Sequence, residues 1–306
     1  MEMRKILVRK TDSLVAAFIL CLTVLAFPPG CGTERKPAQE TVKNDGYSRI
    51  VSMAPNITET LYMLGLGERV AGVTKFCEYP PEVKSKPTIG GFLDPNYEAI
   101  ASLRPDMVFL LPEHEKVKSY LEELSIPYCV VHNRSVEDIL ATIRTIGGKC
   151  GCESVADSLI ADIEQRINAV KNYTPKKTLP KVLTVIEREL GTGGIRDVYV
   201  AGKGTLYDDL ITLAGGVNAF SSSDIPYPVV SPEGLLDLNP DYIIDLVSEK
   251  SRGKLDVATV TNDWNELYRL KAVKNGDVRI VDADYAFIPG PRFIQLLEMI
   301  ASIIQD

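Results

Sequence analysis

Histidine is the scarcest of the common catalytic residues in this sequence: among its 306 residues, only His114 and His132 occur. A zinc site built from three histidines is therefore impossible, and histidine-based catalysis is confined to two positions. The sequence also lacks the G-x-S-x-G nucleophile elbow and the H-E-x-x-H zinc motif. These absences disfavour an enzyme and a zinc receptor, although a Ser or a carboxylate paired with one of the two histidines stays open.

Basic residues are also few relative to acidic ones. The 34 Lys and Arg residues stand against 41 Asp and Glu residues, which gives a formal net charge of −7. Binding to DNA or RNA needs a basic surface that displaces counterions from the phosphates. We therefore expect no nucleic-acid partner.

The apolar run near the amino terminus is too short to span a membrane. Residues 14–27 hold no charge and follow four basic residues, but about fourteen residues fall short of the roughly twenty that a helix needs to cross a bilayer. A basic region before a short apolar one is typical of a signal peptide, which we assign to residues 1–30, with a permanent membrane anchor as the alternative. The polar residues 31–47 lack apolar periodicity and predict a flexible tether.

A cysteine follows the apolar run. The sequence Gly30-Cys31-Gly32 resembles bacterial lipoprotein signals, in which a small residue precedes a cysteine that is lipidated and becomes the first residue of the mature protein. The resemblance implies export and lipidation at Cys31. It also implies a location in the periplasm or at the outer face of the cytoplasmic membrane, held there by the lipid anchor.

Four more cysteines lie in the exported part, at Cys77, Cys129, Cys150 and Cys152. In an oxidising compartment they could pair. Four cysteines allow three connectivities, and the sequence does not choose among them. Only one residue separates Cys150 from Cys152 and no second ligand pair lies nearby, so we expect no metal site there.

The sequence contains one internal repeat. Residues 96–108, NYEAIASLRPDMV, align without gaps with residues 231–243, SPEGLLDLNPDYI, at a constant offset of 135 residues. Each copy predicts a short helix that begins after a good N-cap, Asn96 or Ser231, and ends at a proline. A mostly apolar strand follows in each copy, as in parallel sheets that helices cover on both faces.

Strands and helices alternate along the rest of the chain. This alternation predicts βαβ units and a parallel sheet in each half. The predicted strands are residues 49–52, 107–111, 128–131, 182–186, 242–247 and 278–281. The predicted fold class is therefore α/β, with two similar lobes around central parallel sheets and a ligand cleft between the lobes.

One long α-helix joins the two halves. An apolar stripe at helical spacing predicts this helix over about residues 153–171. The stripe consists of Val155, Leu159, Ile163, Ile167 and Val170. We accordingly divide the mature chain into a first lobe, residues 48–150, a linking helix, residues 151–174, and a second lobe, residues 175–306.

Several segments, taken in order, carry a family resemblance. They are RIVSMAPNITETLYMLGLGERVAGVTKFCEYPPE (49–82), PTIGGFLDPNYEAIASLRPDMV (87–108), AGKGTLYDDLITLAGGVNAF (201–220), IPYPVVSPEGLLDLNPDYII (225–244) and PGPR (289–292). Together they resemble the helical-backbone, or class III, periplasmic substrate-binding proteins of ABC transporters. Within that family the resemblance is to the cobalamin and iron-siderophore type, nearest the cobalamin-binding members, and it covers about residues 48–306.

The resemblance implies a solute-binding lipoprotein that is not an enzyme and has no cofactor of its own. Such a protein binds a corrinoid, cobalamin or cobinamide, and delivers it to a permease dimer that works with separate ATPase subunits. An iron siderophore or haem is the alternative metal chelate within the same family. The alternative of a different class is a lipid-anchored two-lobe enzyme.

The resemblance also implies where the ligand contacts lie. The positions that match cleft-facing residues of cobalamin-binding members are Phe76, Phe92, Tyr227, Asp284 and Tyr285. Aromatic walls suit a large, flat and nearly neutral corrinoid. A triscatecholate siderophore is strongly negative and needs several cations, whereas the cleft segments hold only Lys75, Lys203 and Arg292.

Two glutamates are candidates for contact with the permease. In this family one surface glutamate on each lobe docks onto arginines of the permease dimer, and the matching positions are Glu98 and Glu233. The internal repeat pairs the same two residues. Two like charges at equivalent sites suit a two-fold symmetric partner with two basic pockets. The alternative is that each glutamate only complements the dipole of its helix.

His114 follows the end of a predicted strand, where the ligands of parallel sheets gather. Its imidazole is a candidate axial ligand to the metal of a bound chelate, the cobalt of a corrinoid or the iron of haem. An exposed loop histidine is the alternative. His132 follows the next predicted strand in the same way.

Overall fold

The computed structural model describes residues 46–172, 178–222 and 224–305. The predicted signal peptide, the lipidation site Cys31 and the tether up to residue 45 lie outside this part. No helix in the described part combines the length and the apolar composition needed to cross a membrane. The described residues form an α/β fold with two lobes, as predicted.

The first lobe contains a four-stranded parallel sheet. Its strands are β1 (Ile50–Ser52), β2 (Val70–Val73), β3 (Met107–Leu110) and β4 (Tyr128–Val130), in the spatial order β2-β1-β3-β4. Its helices are α1 (Pro55–Met63), α2 (Tyr97–Ser102), α3 (Glu115–Glu123) and α4 (Val136–Cys150). Every residue of β1 and β3 is buried, because helices cover both faces of the central strands.

The second lobe follows the linking helix α5 (Glu153–Lys171). Its strands are β5 (Lys181–Glu187), β6 (Val198–Val200), β7 (Val217–Asn218), β8 (Val229–Val230), β9 (Tyr242–Leu246) and β10 (Val278–Val281). Its helices are α6 (Leu206–Leu213), α7 (Pro232–Leu238), α8 (Glu249–Arg252), α9 (Val257–Asn262), α10 (Lys271–Asn275) and α11 (Phe293–Gln305). Short 3₁₀ turns occur at Gly67–Arg69, Pro81–Ser85, Asp263–Leu267 and Asp284–Phe287.

The sheet of the second lobe is mixed. Its strands β10, β9 and β5 are parallel neighbours, and β7 adds to β5 in parallel, which confirms the predicted parallel sheet. Beyond β5, the strand β6 runs antiparallel to both β5 and β8. Strands β6, β7 and β8 could not be predicted from the sequence, because runs of two or three residues are too short to show a period.

The aspartate of the Pro-Asp dipeptide has the same structural role in both copies of the internal repeat. Asp106 accepts hydrogen bonds from the backbone nitrogens of Ser48 and Arg49, both at 2.8 Å. Its counterpart Asp241 accepts from the backbone nitrogen of Lys181 at 2.9 Å. Burial alone would raise the pKa of Asp106, but these donors outweigh it and lower that pKa. Each aspartate thus ties its own strand to the start of the neighbouring strand.

The linking helix has its predicted bounds, but its buried face differs from the predicted stripe. The buried residues of α5 are Ala156, Ile160, Ile163 and Ile167. The stripe is therefore wrong at Val155, which is 43% exposed. The reason is close packing against α4: a Cβ at Gly147 would lie only 2.5 Å from that of Ala156. Two small residues let the helices approach and turn Ala156 inward.

One of the apolar core clusters extends across both lobes. A continuous cluster of buried side chains includes Ile143 of α4, Ile163 of α5, Leu210 of α6 and Leu297 of α11. One hydrogen bond crosses the same junction, from the backbone nitrogen of Val136 to a carboxylate oxygen of Asp209 in α6. Because close-packed interiors resist deformation, we infer that the lobes move little relative to each other.

Candidate ligand-binding cleft

Two adjoining cavities lie between the lobes. The first, of about 300 Å³, has mainly apolar walls that include Phe76 and Phe92. The second, of about 600 Å³, is more polar and includes Tyr227. Both cavities have Phe287 and Pro289 in their walls. They therefore form a single cleft lined by residues of both lobes.

A larger groove, of about 710 Å³, runs between α4, α5 and α6. Charged side chains of both signs line it, including Glu137, Arg144, Glu164 and Lys171, and none of its lining residues is aromatic. Sites for small organic ligands have mainly apolar and aromatic walls with a few placed polar groups. By that criterion the cleft is the better candidate, although the groove is larger than either of the two cavities alone.

One aromatic residue on the amino-terminal side of each copy of the repeat lies in the cleft. Phe92 and Tyr227 are separated by the offset of the repeat, and each lies six residues before one of the predicted docking glutamates, Glu98 and Glu233. Phe92 lines the first cavity together with Phe76, and Tyr227 lines the second. Three of the five predicted ligand contacts thus lie in the cleft.

His114 supports the loop that carries Phe92. Its Nδ1 atom accepts a hydrogen bond from the backbone nitrogen of Leu111 at 3.0 Å, so Nε2 carries the proton and donates to the carbonyl oxygen of Phe92 at 3.0 Å. The imidazole also meets the Phe92 ring edge-on, with centroids 4.6 Å apart. Both imidazole nitrogens are thus engaged within the protein and the side chain is buried, so the axial-ligand hypothesis for His114 stays a prediction that would require these hydrogen bonds to break. His132 is exposed and lies outside both cavity linings.

We expect His114 to stay neutral at pH values where an ordinary histidine is charged, because burial lowers the pKa of its imidazole. Protonation would put a hydrogen on Nδ1. That atom could then no longer accept the hydrogen bond from the backbone N–H of Leu111. Since the unfolded chain binds this proton more tightly, the contribution of His114 to stability is complete above about pH 6.5 and is lost as the pH falls.

An NMR titration of the imidazole nitrogens tests this expectation, with exposed His132 as the second histidine signal in the same spectra. The predicted spectrum shows the Nε2-protonated tautomer of His114 persisting below the pH at which an ordinary histidine becomes charged. Titration of His114 at about pH 6.5, the ordinary histidine value, would contradict the assignment.

Asp284 and Tyr285 do not line either cavity. Asp284 accepts from Arg292 through both carboxylate oxygens, at 3.0 and 2.8 Å, and these bonds lower its pKa. The same guanidinium donates from its Nε atom to a carboxylate oxygen of Glu59 in the first lobe, at 2.9 Å. It also lies 3.8 Å from the centre of the Tyr79 ring. The predicted ligand contacts at 284 and 285 thus belong to an ion cluster that joins the lobes, which we call the Arg292 cluster.

Few cations reach the cleft. Lys75 pairs with Asp94 at 3.6 Å, and Lys203 is exposed and lies outside both cavity linings. Arg134 does line the second cavity, and its side chain makes no ion pair with another described residue. The cleft therefore holds one accessible cation among the described residues, too few for a strongly negative chelate.

The cleft residues that could not be predicted from the sequence include Asn133, Arg134 and Phe287. The first two follow β4 after two intervening residues, and the carboxyl end of a parallel strand is a general signal for a binding site. Phe287 lies between Tyr285 and the PGPR segment at residues 289–292, both of which the family resemblance singled out. Both signals were available, but only the folded chain shows which side chains of each segment reach the cleft.

Glu98 and Glu233 occupy matching positions in the two lobes. Each lies in the first turn of its helix and is exposed. The helices are capped alike, by the Asn96 side chain at 2.9 Å from the Ala99 nitrogen and by Ser231 in α7. Neither glutamate forms an ion pair with another described residue. Both carboxylates are therefore available to an external partner.

The four described cysteines are all free thiols in the structure, so none of the three possible connectivities is formed. Cys77 is buried, with its Sγ 3.1 Å from the Thr58 hydroxyl. Burial raises the pKa of Cys150 to about 12, which disfavours the reactive thiolate. The described residues contain no group of three or more His, Cys, Asp or Glu residues that could hold a metal ion.

Comparison with known proteins gives consistent matches. A family model described as periplasmic binding protein matches residues 50–285. The vitamin B12-binding protein of Pectobacterium atrosepticum is 27% identical over 71% of this chain and 81% of its own length. The uncharacterized ABC transporter substrate-binding lipoprotein YvrC of Bacillus subtilis is 28% identical over 97% of this chain and 98% of its own length.

Solved structures show the same fold. The periplasmic heme-binding protein RhuT from Roseiflexus sp. RS-1 superposes with a TM-score of 0.71 at 27% identity, covering 85% of this chain and 99% of its own. The periplasmic vitamin B12 binding protein BtuF of Vibrio cholerae superposes with a TM-score of 0.70 at 23% identity, covering 85% of this chain and 97% of its own. At that identity the second match supports the fold alone.

Proposed function

This chain belongs to the periplasmic binding protein family, and from that premise we propose that it is the solute-binding lipoprotein of an ABC importer, which binds a corrinoid and delivers it to the permease. The observation that carries the proposal is the aromatic cleft, to which the first lobe contributes Phe92 and the second lobe contributes Tyr227. A large flat ligand can contact an aromatic surface of each lobe at once. We also propose that the protein performs no chemistry on this ligand.

The charges of the cleft favour a corrinoid over an anionic siderophore. A corrinoid is nearly neutral, whereas a triscatecholate chelate needs several cations to offset its charge. Haem is the second candidate, because it is also a flat macrocycle and RhuT, at 27% identity, is a named haem-binding relative. Since both nitrogens of His114 are engaged, coordination of haem iron would have to come from another residue.

Membrane attachment is proposed through Cys31, which lies outside the described residues. The support is the Gly30-Cys31-Gly32 sequence after the apolar run and the similarity over 97% of this chain to YvrC, which is named a lipoprotein. In this proposal the cysteine becomes the lipidated first residue of the exported protein. Mass spectrometry of the mature amino terminus tests it, and an unmodified Cys31 would contradict it.

The binding proposal predicts that cobalamin and cobinamide raise the midpoint of thermal unfolding of the mature protein. A ligand at a hundred times its dissociation constant stabilises the folded state by about 2.7 kcal/mol. Haem, a ferric hydroxamate siderophore and zinc are measured alongside. Stabilisation by zinc or the siderophore alone, or chemical turnover of a bound corrinoid, would contradict the proposal.

Variants locate the binding in the cleft. Phe92→Ala and Tyr227→Ala should each weaken corrinoid binding, because each removes an aromatic wall of the cleft. Tyr268→Ala is the matched control, since Tyr268 is 70% exposed and lies outside both cavity linings. Equal weakening by all three variants would show that the ligand binds elsewhere.

A further inference from the structure

The second cavity brings together a cation and a phenol from different lobes. Arg134 belongs to the loop between β4 and α4, and Tyr227 to the loop before β8; both line this cavity. The backbone of Arg134 is held in place, since its nitrogen donates to Asp138 at 3.0 Å. The guanidinium itself makes no hydrogen bond or ion pair with another described residue, so its five donors are available.

Tyr227 supplies a second donor. Burial raises the pKa of Tyr227, which keeps the phenol protonated at neutral pH, while the positive charge of nearby Arg134 acts in the opposite direction. A protonated phenol donates one hydrogen bond, and a guanidinium presents a planar fork that matches a carboxylate or phosphate. The two groups together suit an oxygen-bearing anion.

The same cavity limits the amount of negative charge that it accepts. Glu113 also lies in its wall, so one carboxylate accompanies the one guanidinium. A single oxyanion can reach Arg134, whereas a ligand with several negative charges would meet repulsion from Glu113 without a second cation to offset it. The cavity is therefore suited to one anionic group on an otherwise uncharged ligand.

We propose that Arg134, with Tyr227 as a hydrogen-bond donor, binds a single oxyanionic substituent on the ligand, a phosphodiester or a carboxylate, while the apolar first cavity takes the macrocycle. This inference rests on the proposed function. It divides the cleft into an anion-binding part and an apolar part. It also assigns to Arg134 the discrimination between ligands that carry an oxyanion and relatives that lack one.

Pairs of ligands that differ in this group test the assignment. Cobalamin carries a phosphodiester that cobinamide lacks, and haem carries propionates that its dimethyl ester masks. We expect Arg134→Gln to weaken cobalamin binding about tenfold, the value of a charge-assisted hydrogen bond, and to leave cobinamide binding within about twofold of wild type. Arg134→Lys keeps the charge but loses the planar fork, and we expect it to retain part of the discrimination.

Isothermal titration with the full mature chain measures these affinities. Arg144→Gln is the matched control, because Arg144 is an exposed arginine of α4 outside the cleft. If the haem pair and not the corrinoid pair shows the Arg134 dependence, the oxyanion is a carboxylate and the assignment stands. If Arg134→Gln weakens both members of each pair equally, or neither, the inference is overturned while the proposed function stands. Failure of the wild-type protein to bind any of the four ligands would overturn both.

Discussion

Replacing Arg292 with Gln should lower the free energy of unfolding by about 3–5 kcal/mol, the usual cost of removing one partner of a buried ion pair. In the Arg292 cluster, the side chains of Arg292 and Glu59 are only 5% and 1% exposed. Glu59 has no other ion-pair partner among the described residues. The substitution leaves its carboxylate buried without a counter-charge, at the contact between the lobes.

The loss should depend on pH in a definite direction. Burial raises the pKa of Glu59, and Arg292 is the main group that opposes this. Without Arg292 the pKa of Glu59 in the folded variant rises further above that of the unfolded chain. The folded variant then binds the proton more tightly, so it is relatively more stable at low pH and loses stability as the pH rises. We expect a larger deficit at pH 7 than at pH 5.

Urea unfolding followed by circular dichroism at both pH values measures the effect. The double variant Glu59→Gln with Arg292→Gln removes both charges and should recover part of the loss. Arg166→Gln is the matched control, because Arg166 pairs with Glu298 at 2.7 Å but the two side chains are 34% and 43% exposed. Such a surface pair is worth about 1 kcal/mol or less. A loss at Arg292 no larger than the loss at Arg166 would refute the importance of the cluster.

Local patterns in the sequence were enough to predict most of the architecture. The linking helix Glu153–Lys171 has its predicted bounds, because the apolar residues within a helix recur at helical spacing and so predict it. The repeat pairs Glu98 with Glu233, and the structure places both in the first turn of capped helices. Such features depend on contacts between residues close in the chain, which periodicity and capping rules describe.

Contacts between distant segments could not be predicted in this way. Glu59 and Arg292 are 233 positions apart, and no local pattern shows that the partner of Arg292 is a glutamate of the first lobe. Asp284 joins this pair through two hydrogen bonds from Arg292, which lies only eight positions farther along the chain. In the same way, no local pattern shows that His114 Nε2 lies against the carbonyl of Phe92, 22 positions away in the chain.

Charge reversal at both predicted docking residues, Glu98→Lys with Glu233→Lys, should abolish stimulation of the ATPase of the importer and leave corrinoid affinity unchanged. Both carboxylates are exposed and lack ion-pair partners among the described residues. In the proposed complex each faces a basic pocket of the permease, so lysine would replace attraction by like-charge repulsion, which costs several kcal/mol. Neither residue lines the cleft, so ligand binding should not respond.

The test uses the importer reconstituted in lipid vesicles and measures ATP hydrolysis and corrinoid uptake. It distinguishes docking from the alternative that the glutamates only stabilise the dipoles of their helices. If the glutamates serve only their own helices, reversal should cost about 0.3–1 kcal/mol of stability per helix and leave stimulation intact. Asp157→Lys with Glu164→Lys is the matched control, since both are exposed residues of α5. Because the repeat places Glu98 and Glu233 at matching positions of their helices, each single reversal should impair stimulation to a similar extent. Full stimulation by the double variant, or equal loss in the control, would exclude Glu98 and Glu233 as the docking contacts.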